Sequence, residues 1–230
     1  MNILNYDGWE LNSFDKSHNF RNYQCDLIKN HLKGRVAEVG PGNGENLHIY
    51  RDKVDILELY EPSKLLFDNL KSKFETDEKF IIKNETFSEK INSYDTIIYL
   101  DVLEHIENDY QEITKAFNSL KSGGKLIINV PAFQHLYSDF DKDVNHYRRY
   151  NKKRILNLFE NFEYSLFELK YYDCLGYLLS LLSKLFSKNY KNNFDQKIKV
   201  WNSLIPLSKI LDKLIFHLFG KSLILIISKK

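Results

Sequence analysis

A short apolar run that breaks into three alternating glycines constrains the fold of this chain more than any other feature. Residues 35–39 read RVAEV, and Gly40, Gly42 and Gly44 follow at every second position. Because glycine has no Cβ atom, it tolerates positive φ angles and allows a ligand to approach the backbone closely. The pattern predicts a buried strand that turns sharply into a helix, whose first N–H groups can face an electronegative group.

A second apolar run, at residues 56–59, leads to a carboxylate at Glu61, seventeen residues after Gly44. When a helix joins two parallel strands, the carboxyl ends of both strands lie at the same edge of the sheet. Glu61 can therefore return to the glycine turn and accept hydrogen bonds from the hydroxyl groups of a ribose. A glycine turn together with an acidic strand end predicts a site for an adenosine-containing cofactor.

The glycine spacing and the residue in front of it distinguish between such cofactors. The dinucleotide fingerprint is G-x-G-x-x-G, whereas this chain has G-x-G-x-G with Glu38 two residues before the first glycine. A carboxylate at this position repels a pyrophosphate, but it can bind an ammonium group directly or through water. The segment resembles motif I of the class I S-adenosylmethionine-dependent methyltransferases, and Glu61 matches the ribose-binding acid of that family.

Later segments extend the resemblance over residues 20–170. Residues 94–106, YDTIIYLDVLEHI, resemble the fourth strand of the family and its D-V-L-E-H-I continuation. Residues 121–131, KSGGKLIINVP, resemble the glycine turn and the fifth strand. Residues 145–150, NHYRRY, resemble the G-H-x-R-R-Y segment of a subgroup often linked to surface-glycan biosynthesis, with Asn145 in place of the glycine. By this order of motifs the chain is identified as a member of the class I methyltransferase family.

Strand-like and helix-like patterns alternate along the chain. Such an alternation predicts a parallel sheet covered by helices on both faces, with a ligand at the carboxyl ends of its strands. The resemblance implies an α/β, Rossmann-like fold with a seven-stranded, mostly parallel sheet whose last strand is antiparallel. We predict strands at residues 36–39, 56–59, 80–82, 96–100, 126–130, 164–170 and 222–228, and helices at residues 18–33, 44–50, 64–73, 109–121 and 152–162 and near Glu89.

About fifty mostly helical residues separate the sixth and seventh predicted strands. We interpret residues 1–230 as a single methyltransferase domain, with a helical insertion at approximately 173–220 that serves as a cap, an oligomer contact or a membrane-facing element. Pro206 is expected to kink or start a helix there. The apolar stretches of this segment are too short, or too often interrupted by charge, to cross a bilayer, and core packing is the simplest explanation for them.

Charge and cysteine content limit the partners and the cellular compartments that are expected for the protein. Lysine and arginine total 33 against 31 acidic residues, a net charge of +2 that provides no global attraction to nucleic acid. Cys25 and Cys174 lie far apart, which disfavours a disulfide framework and a zinc site and favours a reducing compartment. Residues 1–17 lack the apolar core of a signal peptide. We predict a cytoplasmic protein, with peripheral contact at the inner membrane face or homodimer formation through the insertion as open alternatives.

The resemblance implies a set of cofactor-binding residues. Asp101, at the end of the fourth strand, borders the methionine portion of the cofactor in the family, although it can also cap a helix. Residues 84 and 85 follow the third strand, where the family binds the adenine amino group. Arg21 and Tyr23 are expected to contact the cofactor carboxylate, to close the site, or to pack on the surface. The predicted cofactor-binding residues are Glu38, Gly40, Gly42, Gly44, Glu61, Asn84, Glu85 and Asp101.

Methyl transfer from a sulfonium is an in-line displacement, which requires a base only if the acceptor carries a proton. His146 is the candidate base, because it precedes arginines that can hold an anionic acceptor by bidentate hydrogen bonds. Asp101 is a second candidate catalytic residue, whereas His105 is more often structural in the family. The predicted substrate-binding residues are Arg148, Arg149 and Tyr137, with a purely structural role for the cluster around His146 as the alternative.

No metal site is predicted, and a magnesium-dependent, catechol-type site on the acidic run 139–143 is the open alternative. Asp139, Asp141 and Asp143 alternate like the start of a calcium loop, but Val144 and Tyr150 occupy the positions of its glycine and its bidentate glutamate. The predicted function is transfer of a methyl group from S-adenosylmethionine to a small-molecule, glycan or lipid-linked acceptor. The alternatives are a nicotinamide-dependent oxidoreductase on a similar sheet and a non-catalytic scaffold that binds S-adenosylmethionine.

Overall fold

A seven-stranded sheet forms the centre of the computed structural model, which describes residues 10–14, 16–186 and 191–230. The strand order is β3-β2-β1-β4-β5-β7-β6. Strands β1 to β5 are parallel to one another, whereas β7 is antiparallel to both β5 and β6. The predicted Rossmann-like sheet is therefore confirmed. The predictions for residues 1–9, and the part of the predicted insertion at residues 187–190, lie outside the described residues.

The bounds of the elements are as follows. The strands are β1 (Arg35–Val39), β2 (Ile56–Tyr60), β3 (Phe80–Lys83), β4 (Tyr94–Leu100), β5 (Leu120–Pro131), β6 (Tyr164–Tyr172) and β7 (Ser222–Lys229). The α-helices are α1 (Leu11–Phe14), α2 (His18–Ile28), α3 (Leu47–Tyr50), α4 (Lys64–Phe74), α5 (Asp109–Ser119), α6 (Asp139–Asp143), α7 (Lys152–Asn157), α8 (Cys174–Phe186) and α9 (Phe194–Leu214).

Both faces of the sheet are buried. Side chains alternate between the two faces of a strand, so Ile97 and Tyr99 of β4 pack in one apolar cluster while Ile98 packs in a second cluster on the opposite face. All three side chains are fully buried. This two-sided burial explains why the central strands read as continuous apolar runs, and it leaves the carboxyl ends of the strands as the place for polar residues.

The helix predicted near Glu89 is wrong. In the structure the connection between β3 and β4 contains no helix, and Phe87 is its buried apolar anchor. The Phe87 ring contacts the rings of Tyr60 and Tyr99 edge to face, with centroid distances of 5.0 and 6.5 Å. Ile91, the other large apolar side chain of this stretch, is exposed. The stretch therefore lacks the apolar stripe that a helix needs to pack on the sheet.

Several other predicted boundaries differ from the structure: the helices predicted at 18–33 and 152–162 end early, at Ile28 and Asn157, and two differences concern glycine turns. The helix expected at 44–50 is the single turn α3, because the chain remains in a loop through Asn46. Strand β5 begins at Leu120 instead of residue 126, so the glycine turn lies within it, with Gly123 at a φ of +74° and a register shift opposite Tyr94 and Thr96. Neither difference moves the carboxyl ends of the strands.

Along the chain, helices α8 and α9 connect β6 to β7, and α9 packs against α2. Pro206 lies inside α9 and cannot donate the backbone hydrogen bond that the Asn202 carbonyl would otherwise accept. The Asn19 side chain donates to this carbonyl instead, at 3.0 Å, and the Asn202 side chain accepts a hydrogen bond from the backbone N–H of Phe20. The start of α2 is thus fastened to the middle of α9. Among the described residues, no helix is both long enough and apolar enough to span a membrane.

Asp212 fastens the other end of α9. Its buried carboxylate accepts hydrogen bonds from Tyr23 Oη at 2.9 Å and from the backbone N–H groups of Asp173 and Cys174 at 2.6 and 2.9 Å. We expect Asp212→Ala to leave these donors without an acceptor and to lower the free energy of unfolding by about 3 kcal/mol. Urea denaturation would measure the change, with the exposed neighbour variant Lys213→Ala as control. Equal stability of the two variants would contradict this account of the anchor.

Candidate functional site

A cavity of about 810 Å³ opens at the carboxyl ends of β1, β2 and β4. Its walls come from the glycine turn after β1, the ends of β2 and β4, the start of α2, the segment 140–149, and α9. Ligands of α/β sheets bind at this position, and the volume is in the range of pockets that hold cofactors and small molecules.

The three glycines of the turn have different surroundings. All three have positive φ angles, of +66°, +59° and +75° for Gly40, Gly42 and Gly44. A Cβ atom on Gly40 would lie 2.7 Å from Val102, and one on Gly44 would lie 2.7 Å from Leu70. A Cβ atom on Gly42 would meet only Leu11, at 3.4 Å. Gly40 and Gly42 line the cavity, whereas Gly44 is a packing position outside its lining.

Glu61 lies at the cavity wall beside Gly42. One carboxylate oxygen accepts a hydrogen bond from the Gly42 N–H at 3.2 Å, and the other accepts one from the Ser63 N–H at 2.9 Å. The side chain is buried, and this burial raises the pKa of the carboxyl to about 7, against the lowering effect of the two backbone donors. The strand end thus presents a fixed carboxylate to the cavity, where the sequence predicted it.

Glu38 is the second carboxylate near the glycine turn. It is buried, it accepts a hydrogen bond from Tyr50 Oη, and burial raises its pKa to about 7. Arg21, on α2, also lines the cavity and donates to the Asn46 side chain at 3.0 Å. Tyr23 does not line the cavity, because its hydroxyl is engaged by Asp212. Of the predicted pair on α2, only Arg21 is therefore placed at the site.

Asp101 occupies the end of β4 in a left-handed backbone conformation, with a φ of +57°. Its carboxylate accepts hydrogen bonds from the Asn129 side chain at 2.8 Å and from the Gln24 side chain at 3.2 Å. The residues after it form a single 3₁₀ turn, Leu103–His105, so Asp101 does not cap an α-helix. Positive φ at a non-glycine residue is uncommon and is found at functional sites. Gln24 is a site residue that sequence reasoning missed.

The residues predicted to read adenine lie beside the cavity but do not line it. The side chain of Asn84 donates to the backbone carbonyls of Glu61 and Pro62, at 3.0 and 3.2 Å, and Glu85 is exposed. Thr86 and Phe87, directly after them, line the cavity instead. Asn84 thus supports the loop that carries Glu61, and nothing in the sequence pattern distinguished these neighbouring positions.

His146 reaches the cavity from the loop after β5. Its Nδ1 lies 2.8 Å from an oxygen of the buried Asp141, and Arg149 binds both oxygens of the same carboxylate, at 2.8 and 2.9 Å. Burial acts to raise the pKa of Asp141, but the contacts with His146 and Arg149 outweigh it and lower the pKa below its usual range. The loop therefore presents an imidazole that a buried ion pair orients from behind.

Arg148 and Tyr137 hold this loop in place. The Arg148 guanidinium lies 2.8 Å from Asp109 and donates to the backbone carbonyls of Ile106 and Glu107, at 2.9 and 2.7 Å. The Tyr137 hydroxyl donates to the backbone carbonyl of His146 at 2.6 Å. Neither side chain lines the cavity, whereas Arg149 does. Of the three predicted substrate-binding residues, Arg149 thus lies in the cavity wall, whereas Arg148 and Tyr137 support the loop behind it.

Glu104 and His105 also line the cavity. Glu104 is buried, and burial together with the charge of Asp101 raises the pKa of its carboxyl well above the usual value. Burial and the neighbouring His146 lower the pKa of His105 to about 3. The two imidazole rings lie 4.5 Å apart, and His146 Nε2 lies 3.8 Å from Glu104. Sequence reasoning included Glu104 in a motif but gave it no role.

A Rossmann-like sheet with a glycine turn, an acidic second strand and a cavity at its carboxyl ends defines the class of α/β proteins that bind nucleoside cofactors. The model of the methyltransferase domain family matches residues 17–169 of this chain. The chain therefore belongs to the methyltransferase domain family. The family match favours methyl transfer over the nicotinamide-dependent alternative.

Solved structures share the fold at low sequence identity. A SAM-dependent methyltransferase from Archaeoglobus fulgidus is 17% identical, with a TM-score of 0.62 over 96% of this chain and 98% of that chain. Phosphoethanolamine N-methyltransferase 2 of Haemonchus contortus, in complex with S-adenosyl-L-methionine, is 14% identical, with a TM-score of 0.63 over 96% of this chain and 57% of that chain. A putative methyltransferase of Haloferax volcanii, in complex with the Trm112 methyltransferase activator, is 12% identical, with a TM-score of 0.66 over 98% and 97% of the two chains.

One curated relative is more similar in sequence. An uncharacterized protein of Methanocaldococcus jannaschii is 29% identical over 126 residues, which are 54% of this chain and 57% of that protein. The chain thus matches little more than half the length of this relative.

Proposed function

We propose that the cavity binds S-adenosylmethionine along the glycine turn and that the chain transfers its methyl group to a small-molecule, glycan or lipid-linked acceptor held against the loop 132–150. The observation that carries this proposal is that Gly42, Glu61 and His146 line one and the same cavity. When bound, the cofactor supplies an electrophilic methyl group on a sulfonium. The residues of the chain bind, orient and shield the two reactants.

The cofactor side fits a nucleoside joined to an amino acid. The free lone pairs of the Glu61 carboxylate suit two adjacent ribose hydroxyls, and the open space at Gly42 admits the ribose close to the backbone. Thr86 and Phe87 line the region expected for the base. At the other end, Glu38 and Asp101 provide carboxylates for an ammonium group, and Arg21 provides a cation for a carboxylate. Gly44, Asn84 and Glu85 are assigned supporting roles.

The acceptor side is formed by three polar groups and an aromatic wall. We assign Asp101 and His146 as the catalytic residues through which the acceptor is oriented and activated, and Arg149 as a polar contact at the same wall. Arg148 and Tyr137 are assigned to positioning the loop that carries His146, because their polar groups bind the protein. Trp201 of α9 and Phe140 also line the cavity, and their apolar rings suit exclusion of water from the reaction.

The helical segment between β6 and β7 is proposed to act as a cap of one methyltransferase domain, because Trp201 reaches the cavity from α9. The opposite face of α9 carries Val200, Leu207 and Leu214, each at least half exposed and one heptad apart, near the exposed Lys213. This face favours peripheral contact at the inner membrane face or homodimer formation by a cytoplasmic protein. Sedimentation with anionic vesicles and measurement of the solution mass would distinguish these two partners.

A substitution at Gly42 tests the position of the cofactor. Gly42 and Gly123 both have positive φ angles, but a Cβ atom on Gly123 meets no atom within 4 Å. Valine strains the backbone in the same way at either position, but only Gly42→Val adds atoms to the cavity. We expect Gly42→Val to abolish binding of S-adenosylhomocysteine in calorimetry, whereas Gly123→Val should bind it like the original chain. Equal binding by both variants would refute this placement.

The raised pKa of Glu61 predicts a pH dependence of cofactor binding. Ribose hydroxyls donate to the ionised carboxylate, so protonation of Glu61 weakens the complex. With a pKa of about 7, the ionised fraction rises about tenfold between pH 6 and pH 8, and the affinity should rise by a similar factor. Calorimetric titration of S-adenosylhomocysteine at pH 6, 7 and 8 measures this change. The Glu61→Gln variant should bind S-adenosylhomocysteine more weakly and show less of the pH dependence. If its affinity changed with pH as in the original chain, Glu61 would not be a cofactor-binding residue.

The assignment of His146 predicts a separation of catalysis from cofactor binding. We expect His146→Ala to lower methyl transfer at least tenfold, about 1.4 kcal/mol in the barrier, with the affinity for S-adenosylhomocysteine nearly unchanged. Transfer of labelled methyl groups into the small-molecule fraction of a cell extract provides the assay. His135→Ala is the matched control, since this exposed histidine contacts Tyr177 and does not line the cavity. Loss of cofactor binding in step with activity would instead show a structural role for His146.

A further inference from the structure

Three side chains on the acceptor wall of the cavity converge on one point. One carboxylate oxygen of Glu104 and one ring nitrogen each of His105 and His146 lie within 4.8 Å of one another. All three residues line the cavity. A carboxylate and two imidazoles facing a common open space are a known ligand set for a metal ion in an enzyme.

Each imidazole is oriented by a hydrogen bond at one of its nitrogens. His146 Nδ1 is bound to Asp141, which Arg149 holds in turn, and a ring nitrogen of His105 is bound to the backbone carbonyl of Val144. An acceptor at one ring nitrogen places the proton there and leaves a lone pair on the other nitrogen. Histidine ligands of metals are held in this way, by a carboxylate or a backbone carbonyl behind the ring.

Glu104 supplies a second, independent observation. Its side chain is 1% exposed, and neither carboxylate oxygen has a hydrogen-bond partner among the described residues. Burying a carboxylate is costly unless it is hydrogen-bonded, paired with a cation or bound to a metal. His146 Nε2, at 3.8 Å, is too far away for a hydrogen bond. The partner that the carboxylate lacks is therefore one that enters from the cavity.

We propose that Glu104, His105 and His146 bind a divalent transition-metal ion, with its remaining coordination positions open to the cavity. Two imidazoles and one carboxylate suit Zn²⁺ and related ions, whereas Mg²⁺ and Ca²⁺ prefer oxygen ligands throughout. No sequence motif indicated this site, because Glu104 and His105 are adjacent and His146 lies more than forty residues further along the chain.

This inference rests on the proposed function and narrows its acceptor. An open metal position beside the catalytic wall suits an acceptor with a hydroxyl group, whose pKa the metal lowers. The hydroxyl proton leaves to solvent water, and the oxygen lone pair forms the new bond to the methyl carbon. The carbon–sulfur bond of the cofactor breaks at the same time, and its electrons remain on sulfur. His146 activates the acceptor as a metal ligand in this scheme.

Metal binding can be measured without turnover. The full chain, free of affinity tags and treated with a chelator, would be titrated with ZnCl₂ by calorimetry and with CoCl₂ by visible absorption. We expect one site per chain, with no competition from millimolar MgCl₂. Glu104→Gln, His105→Ala and His146→Ala should each weaken Zn²⁺ binding by more than about 100-fold, since loss of a residue behind a ligand already costs 10- to 100-fold. His135→Ala should leave the affinity unchanged.

The outcomes separate this inference from the proposed function. Absence of a Zn²⁺ site in the folded chain, or a Glu104→Gln variant that is folded by circular dichroism and binds Zn²⁺ like the original, overturns the metal site. Binding of S-adenosylhomocysteine to the chelated protein tests the cofactor side independently. Zn²⁺ binding without binding of S-adenosylhomocysteine would support the metal site and contradict the proposed cofactor site. Binding of S-adenosylhomocysteine without Zn²⁺ binding would support the cofactor site and contradict the metal site.

Discussion

The hydrogen bonds between Asp101 and Asn129 at the ends of β4 and β5 are the contact on which the rest of the site depends. Asn129 also accepts a hydrogen bond from Tyr172 Oη at 2.9 Å, and Gln24 joins Asp101 to α2. One buried polar network therefore ties the two central strands, the end of β6 and the helix over the cavity. Such networks fix a unique arrangement only when their members are satisfied. This one holds Asp101 in a left-handed backbone conformation at the wall of the cavity.

The sequence predicted those parts of the site that follow from local geometry. A glycine turn after one buried strand and an acid after the next must meet at one edge of a parallel sheet, so Gly42 and Glu61 could be placed in advance. Gln24 and Trp201 could not, because the packing of α2 and α9 brings them to the cavity from distant parts of the chain. The helix near Glu89 failed for a related reason, since the single buried ring of Phe87 replaces a helical stripe.

Arginines gave the weakest guide to function. The cluster at 148–154 suggested binding of an anionic acceptor. In the structure, however, Arg148 binds Asp109 and two backbone carbonyls, and Arg149 binds the buried carboxylate of Asp141. A guanidinium that binds carbonyl oxygens and a buried carboxylate fixes a backbone path as effectively as it binds a ligand. The residue that these arginines position is His146. Their value to the site is thus orientation of an imidazole, which the composition of the loop alone does not reveal.

The proline inside α9, Pro206, affects how the sequence of this chain can change in evolution. The carbonyl that it leaves without a helical partner is satisfied by Asn19, so the two residues, almost two hundred positions apart, carry out one task. A residue with an N–H group in place of Pro206 would donate the missing helical hydrogen bond to the Asn202 carbonyl. The side chain of Asn19 would then no longer be needed as its donor. Related sequences would then be free to lose both residues together, whereas loss of Asn19 alone would leave an orphaned carbonyl. The pair is a candidate for coupled evolutionary drift, at the contact that fastens α9 to α2.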